Sequence, residues 1–448
     1  MLFMVVMLCT MTYAQFTTKG DGKTYSIKTL AEMEGTGIEE YPGTQGYPPS
    51  YLLSTSITIA EGDKFVMDDS VCVSFAPNVI LAVEGEADFR LTQGSLFTSA
   101  IDSTPLGAAV RITGATTTTF ENCIFNIVGL ELMGEGATHV NHCSFMNHDG
   151  SSAAALYFIS AGAASTIEDC HFEYCKKAAI GSAANASQPL TIKNCTLVRN
   201  SLANNNIPQI NITAANKLTI DGCTIEGNPK NNMVGGIGIS NFYSFDADVT
   251  ISGCTIQDNR YGIGLVGPAA QFVVSDCTLH NNKYETNAMN GGSGISLYDP
   301  YQKTCAWLAG NRIEGNLWGV TIIGCQEVCL GNLSGTTERE RGGNIFKDNG
   351  NGGALYDLYN NSTLTVYAQN NTWNVSDQTQ EQIESVIFHK ADDASLGEVI
   401  FWPAANMTCI RSIEQSSGNK EPYYSINGIR RSSPVKGLNI IRGKKVVR

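Results

Sequence analysis

"TISGCTIQDNRYGIGL", residues 250–265, sets Cys254 three positions after Ile251 and two before Ile256. The same cysteine returns in "TIKNCTLVRN" (191–200), "TIDGCTIEGN" (219–228) and "VVSDCTLHNN" (273–282). Aligned on that slot, the chain reads Cys123, Cys143, Cys170, Cys195, Cys223, Cys254 and Cys277, then Asn311, Asn344 and Asn371. Six steps carry the slot from Cys123 to Cys277, about 26 residues each, a period that belongs to solenoids.

Apolar residues keep the register on both sides. Phe120, Val140, Ile167, Ile192, Ile220, Ile251 and Val274 stand three before the slot, and Phe125, Phe145, Phe172, Leu197, Ile225, Ile256, Leu279, Ile313, Phe346 and Trp373 two after it. Five after it come Asn200, Asn228, Asn259, Asn282, Asn316 and Asn349, a residue type that tolerates left-handed turns. A third short apolar run follows, as in "GIGI" at 236, "GIGL" at 262, "GISL" at 294 and "GVTI" at 318. Three short strands per turn, bounded by Asn and Gly, predict an all-β chain wound as a single right-handed parallel β-helix of about twelve coils. Equivalent slots then stack about 4.8 Å apart. That separation is too wide for the Cβ pair of a disulfide, about 3.8 Å, so the cysteine column is expected to be a file of free, buried thiols.

Composition agrees with an elongated array. The chain has 448 residues, 45 Gly, 13 Pro and only 16% charged residues, and long amphipathic helices are scarce. Its net charge is −13, yet Lys420, Arg430, Arg431, Lys436, Arg442, Lys444, Lys445 and Arg448 crowd the end against Glu421 alone. The body is therefore more acidic than the whole, which excludes a nucleic-acid backbone as its partner. "MLFMVVMLCTMTYAQ" reads as a signal peptide, 1–14, with Thr12 and Ala14 at the small-residue positions of a cleavage site. The run falls short of the about 20 apolar residues of a membrane span, and the mature chain offers no other; a secreted or cell-surface location follows. The expected division is a lead-in at 15–55, the β-helix at 56–373, a cap at 374–403, a linker at 404–419 and a short basic tail at 420–448. In the cap, Ser376 is placed to start a helix carrying Ile383, Val386 and Ile387, ahead of the strand "GEVIFWP". The tail is expected to form two strands.

Residues 57–402 resemble the right-handed parallel β-helix repeat proteins of the pectate-lyase-like superfamily. "AQNNTWN" and "HKADDASLGEVIFWP" resemble the ends of exported Bacteroidetes proteins of that kind. The tail, with Tyr424, Gly428, Arg430, Pro434, Gly437, Ile440 and "GKKV", resembles a type IX secretion sorting signal, which implies the secretion machinery as a partner.

The superfamily resemblance implies that substrate lies on the sheet of third strands. The outward residues read there are Arg111, Glu131, Tyr157, Asn211, Gly238, Gly264, Ser296, Thr321 and Tyr356. A glycosidase needs two carboxylates across the scissile bond, and this file offers Glu131 alone. A uronate lyase needs a basic residue beside a neutralised carboxylate, of which Arg111, Glu131 and Tyr157 are a thin version; an Arg beside a Glu is more often an ion pair. Insertions near this strand bring Phe242, Tyr243, Tyr284, Tyr298 and Tyr301, with Asn211, around a floor of Gly238 and Gly264, an arrangement suited to stacking on sugar rings. His139, His142, His148 and His171 lie near Cys170 and Cys175, but their slots diverge, so no metal site is expected, and no cofactor; calcium stays unassigned. The reading is a β-helix that binds or presents to polysaccharide, with a uronate-directed lyase or glycosidase and a structural or adhesive surface protein as rivals.

Overall fold

Ile251 and Ile256 point into one interior because the residue before the cysteine slot turns a corner between them. Asn122, Asp169, Asn194, Gly222, Gly253, Asp276 and Gly310 all adopt φ between 52° and 70° at that corner. The computed structural model describes residues 15–44, 48–100, 107–213, 216–241, 247–285, 287–352 and 354–405, with short strands between 423 and 447. Each coil carries three strands, for example Asp248–Ser252, Thr255–Gln257 and Ile263–Val266. Strands of the first, second and third kind pair in parallel with their equivalents in the next coil, as in Ile251↔Val274, Ile256↔Leu279 and Ile263↔Ile295. The chain is a right-handed parallel β-helix, the hand that parallel crossovers take.

The interior is a set of stacks. Phe97, Phe125, Phe145 and Phe172 lie face to face with centroids 4.9, 4.7 and 4.8 Å apart, the strand repeat itself. The cysteines from Cys123 to Cys277 are free and buried, as the spacing predicts. Each thiol leans on backbone carbonyls: Cys195 Sγ lies 3.2 Å from the Lys193 oxygen and 3.5 Å from that of Ile167. Burial pushes the Cys175 thiol up to about 12, and the neighbouring Cys170 thiol together with burial does the same for Cys195.

The position five past the slot differs from the sequence reading. Left-handed turns occur one residue earlier, at Asn147, Tyr174, Arg199, Asp258, Asn281, Gly315 and Asp348. The asparagine itself is buried and belongs to an interior amide chain, in which the Nδ2 of Asn259, Asn282 and Asn316 donates to the Oδ1 of Asn282, Asn316 and Asn349 at 3.3, 3.2 and 3.2 Å. Asn228 is not a member. Gln209 reaches in from the third strand's entry to bridge Asn200 and Asn259, at 3.0 Å each, while Asn228 Oδ1 caps the Lys230 amide outside. The chain ends on a carboxylate, with Asn349 Nδ2 donating to Asp357 Oδ1 at 3.0 Å.

The third strands form one fourteen-stranded sheet, two more than the expected number of coils. Both extra strands are at the ends. Gln15–Thr17 pairs in parallel with Ser56–Ile59, so winding begins inside the segment read as a lead-in. Ile387–Phe388 closes the other end against Leu358–Asn360. The capping helix is a single turn, Gln380–Glu384, whose N-cap is Thr379 rather than Ser376. Residues 1–14, and with them the expected signal peptide, lie outside the described residues. The chain divides into two units at 405/406. In the second, four short strands form an antiparallel sheet where two were expected. No described helix is long and apolar enough to cross a membrane.

Candidate functional site

The outward file of the third column follows from the pairing of its strands. It runs Arg111, Glu131, Tyr157, Gly181, Asn211, Gly238, Gly264, Ser296, Thr321 and Tyr359. Two entries correct the sequence reading. Gly181 supplies the rung between Tyr157 and Asn211, and Tyr359 replaces Tyr356. The second shift arises because Leu358 is the inward partner of Val320, which leaves Tyr356 ahead of the strand, stacked on Trp318 at 5.6 Å.

At one end of the file the three weak catalytic candidates do meet. Arg111 Nε and a terminal nitrogen donate to the same Glu131 oxygen at 2.8 and 2.6 Å, with the Glu131 side chain only 7% exposed. The pair is therefore more buried than the exposed bridge expected from sequence. Tyr157 occupies the next rung, where burial, then the Glu131 charge, raises its phenol. A carboxylate held by a guanidinium beside a phenol that resists ionisation lacks a free base.

The groove lies further along, over the rungs from Asn211 to Tyr359, with a cavity volume of about 430 Å³. Asn211 and Tyr298 are among the residues that line it. Tyr284 and Tyr301 are not: the Tyr284 hydroxyl donates to Asp258 at 3.3 Å, and the Tyr301 amide donates to Asp299 in the turn beyond the strand. Phe242 and Tyr243 lie outside the described residues. Nor do the glycines form a bare floor. The Tyr261 ring covers Gly264, where an ideal Cβ would reach 3.0 Å from Cε2, and Pro208 covers Gly238, where one would stand 2.6 Å from Cγ and 3.1 Å from the Tyr261 hydroxyl.

One wall is clamped by Arg260, whose Nε donates to the Asn290 carbonyl at 2.8 Å and whose terminal nitrogens bond Asn206 Oδ1 and the same carbonyl. Met289, 85% exposed, projects from that turn. Trp318 closes the far end, its indole N–H donating to Ala288 O at 2.7 Å and its ring meeting Tyr359 edge-on at 5.0 Å; Tyr359 in turn stacks on Phe388 at 4.6 Å. Among the described lining residues Arg260 carries the formal charge and no Asp or Glu is present.

Sequence reasoning missed Arg260, Tyr261, Trp318 and Tyr359. A signal for Tyr261 existed, because two successive outward glycines in "GIGI" and "GIGL" ask what lies over them. The four clustered histidines go separate ways. His139 meets Thr166 at 3.0 Å, His142 sits at a left-handed corner, His148 is buried, and His171 lies 3.4 Å from Glu173. Among the described residues no three His, Cys, Asp or Glu side chains converge as metal ligands do.

Fold and groove define the class: a parallel β-helix with an aromatic cleft on the sheet of third strands. A family model described as a right handed beta helix region matches residues 79–207 and 198–300. No curated protein sequence matches the chain significantly. Among solved structures, the periplasmic alginate epimerase AlgG is 14% identical with a TM-score of 0.40, covering 81% of this chain and 74% of that one. A point mutant of the same epimerase is 10% identical at a TM-score of 0.47, with 85% and 83% covered.

Proposed function

We propose that this is an exported, cell-surface β-helix protein that binds polysaccharide in the groove on its third column, without chemical turnover there. The composition of the lining carries the reading. Ring faces of Tyr261, Trp318 and Tyr359 suit the C–H faces of sugars, and Asn206, Asn211, Ser296, Thr321 and Asn361 offer hydroxyl and amide partners at the edges. Hydrolysis of a glycoside asks for a pair of carboxylates, and the described lining has none. The Arg260 charge, in a described lining without Asp or Glu, disfavours a cationic glycan in the groove. Export rests on the apolar N-terminal stretch, and delivery through a secretion system on the basic tail.

A lyase acting on a uronic-acid glycan keeps one observation in its favour, the placing of Arg111, Glu131 and Tyr157 on successive rungs. Electrophoresis in native gels cast with polygalacturonate, xylan or a mixed-linkage glucan separates the readings. Retardation by one glycan with no rise in ultraviolet absorbance from unsaturated products is the expected result. A rise in that absorbance, abolished in Arg111→Gln, would establish the lyase instead. A chain that migrates unchanged in every gel is a structural or adhesive protein.

A further inference from the structure

Tyr261 stands at the entry to its third strand, level with Gly235 in the preceding coil, since the Gly236 amide donates to the Tyr261 carbonyl at 2.9 Å. Its ring leans back across that neighbour. An ideal Cβ on Gly235 would stand 2.1 Å from Cζ and 2.5 Å from both Cε1 and Cε2, the pattern of a group placed over the ring face rather than at its edge. Gly264 meets the ring in the same fashion, at 3.0 Å from Cε2 and 3.4 and 3.5 Å from its two bonded neighbours. Gly235 and Gly264 thus lack the side chain that would lift the ring off the sheet, whereas a Cβ on Gly238 would meet Pro208 Cγ first, at 2.6 Å, and then the Tyr261 hydroxyl, at 3.1 Å. At Gly235 no methyl fits without moving the ring, because real Cβ contacts do not come so close.

Gly weakens a strand and is retained where something must approach the backbone closely. Here the approaching group is this chain's own phenol ring, half-buried, which lines the groove. Its hydroxyl has no hydrogen-bond partner among the described residues, and burial holds the phenol up to about 12, against the nearby Arg260 charge, so it remains a donor across the physiological range. A flat ring on a small-residue floor with an unengaged hydroxyl matches a pyranose, which presents an apolar C–H face and peripheral hydroxyls.

We propose that Tyr261 is the sugar-stacking platform of the groove, seated by Gly235 and Gly264, with its hydroxyl supplying the floor's hydrogen bond to the glycan. The assignment rests on the polysaccharide-binding reading and adds the residue that determines it. Tyr261→Ala removes the ring, Gly235→Ala displaces it while keeping its chemistry, and Tyr261→Phe deletes the hydroxyl alone.

The test is gel retardation of wild type and the three variants against whichever of polygalacturonate, xylan or mixed-linkage glucan retards wild type, with thermal unfolding of each variant recorded alongside. A stacked ring contributes about tenfold in affinity, so Tyr261→Ala and Gly235→Ala should each raise the dissociation constant about tenfold or more. Tyr261→Phe, the variant least able to perturb folding, should raise it several-fold. If wild type is retarded and Tyr261→Ala and Tyr261→Phe are retarded equally, Tyr261 is no platform and the groove binds by other contacts. Absence of wild-type retardation in all three glycans removes the binding reading and the platform together.

Discussion

Cys223 and Asn344 occupy one interior slot in different coils, yet their neighbours depend on them differently. The Asn344 Oδ1 accepts from both the Asn311 amide and the Asn311 Nδ2, at 3.1 and 3.0 Å, in a fully buried setting. Asn344→Ala strands two buried donors, each costing about 1–3 kcal/mol, so a loss of about 4 kcal/mol is expected in urea unfolding. Cys223 receives no comparable bond from a side-chain amide, and its thiol only leans on the Asp221 and Ile192 carbonyls at 3.5 and 3.8 Å. Cys223→Ala should cost about 1 kcal/mol, the price of one small buried group. Equal losses for the two variants would mean that the amide file adds nothing beyond packing. At the corners the opposite sign is available. Tyr174 holds φ 53° at a turn that Asn, Asp or Gly fill in most other coils and Arg199 in the next. A left-handed conformation costs a side-chain-bearing residue roughly 1–2 kcal/mol, so Tyr174→Gly, on an exposed side chain, should raise the urea midpoint by the equivalent of about 1 kcal/mol.

The strand columns were legible because each coil must repeat its neighbour's inward pattern. Ile251 and Ile256 alone fix a corner, and ten coils of the same pattern fix a solenoid. What was illegible lay where one coil departs from the next. Gln209 takes the place of Asn228 from a different part of its coil, and Tyr359 replaces Tyr356 because the segment at 350–357 does not follow the two-residue alternation. The groove divides the same way. Its file of small outward residues was read from the strands, while its rings come from strand entries such as Tyr261 and Trp318, where no periodicity says which way a side chain leans. From the Gly264 rung to the Tyr359 rung is three strand spacings, about 14 Å, so the Tyr261 ring and the Trp318–Tyr359 cluster lie too far apart for one sugar. Affinity should therefore rise with oligosaccharide length until both ring sets are covered. Trp318→Ala should weaken binding of the long oligomers about tenfold and leave that of the shortest ones unchanged, by calorimetric titration. Equal weakening at every length would place a single subsite at Trp318.

Over the coil as a whole, two of the buried ionisable groups, His148 and Asp357, lie far apart along one corner. His148 occupies the slot ahead of Cys175, and Asp357 accepts at the end of the amide chain. Burial, then the Lys177 charge, holds His148 down to about 4, with Asp149 acting upward; its Nδ1 has no partner. Burial pushes Asp357 up to about 7, against the bonds it accepts from Asn349 and the Asn374 amide. The signs are opposed. A folded chain that keeps His148 neutral has its full stability above pH 6.5, where the unfolded imidazole is also neutral, and loses it as pH falls toward 4. Asp357 keeps its proton in the folded chain after the unfolded chain has released it near 3.8, so its contribution is whole below about pH 4 and is lost as pH rises to about 7. Between pH 4 and 6.5 the two slopes offset each other, which leaves the wild-type profile flatter than either group alone would make it. His148→Asn, the residue that later coils use in this slot, should gain about 3 kcal/mol relative to wild type as pH is lowered from 6.5 to 4. Asp357→Asn should gain on the order of 4 kcal/mol relative to wild type as pH is raised from 4 to 7. Urea unfolding at half-unit pH steps measures both differences, in which the surface carboxylates common to all three proteins cancel. A difference that stays level across its window would mean that the group exchanges its proton as freely in the folded coil as in the unfolded chain, and the interior would then be wet at that end.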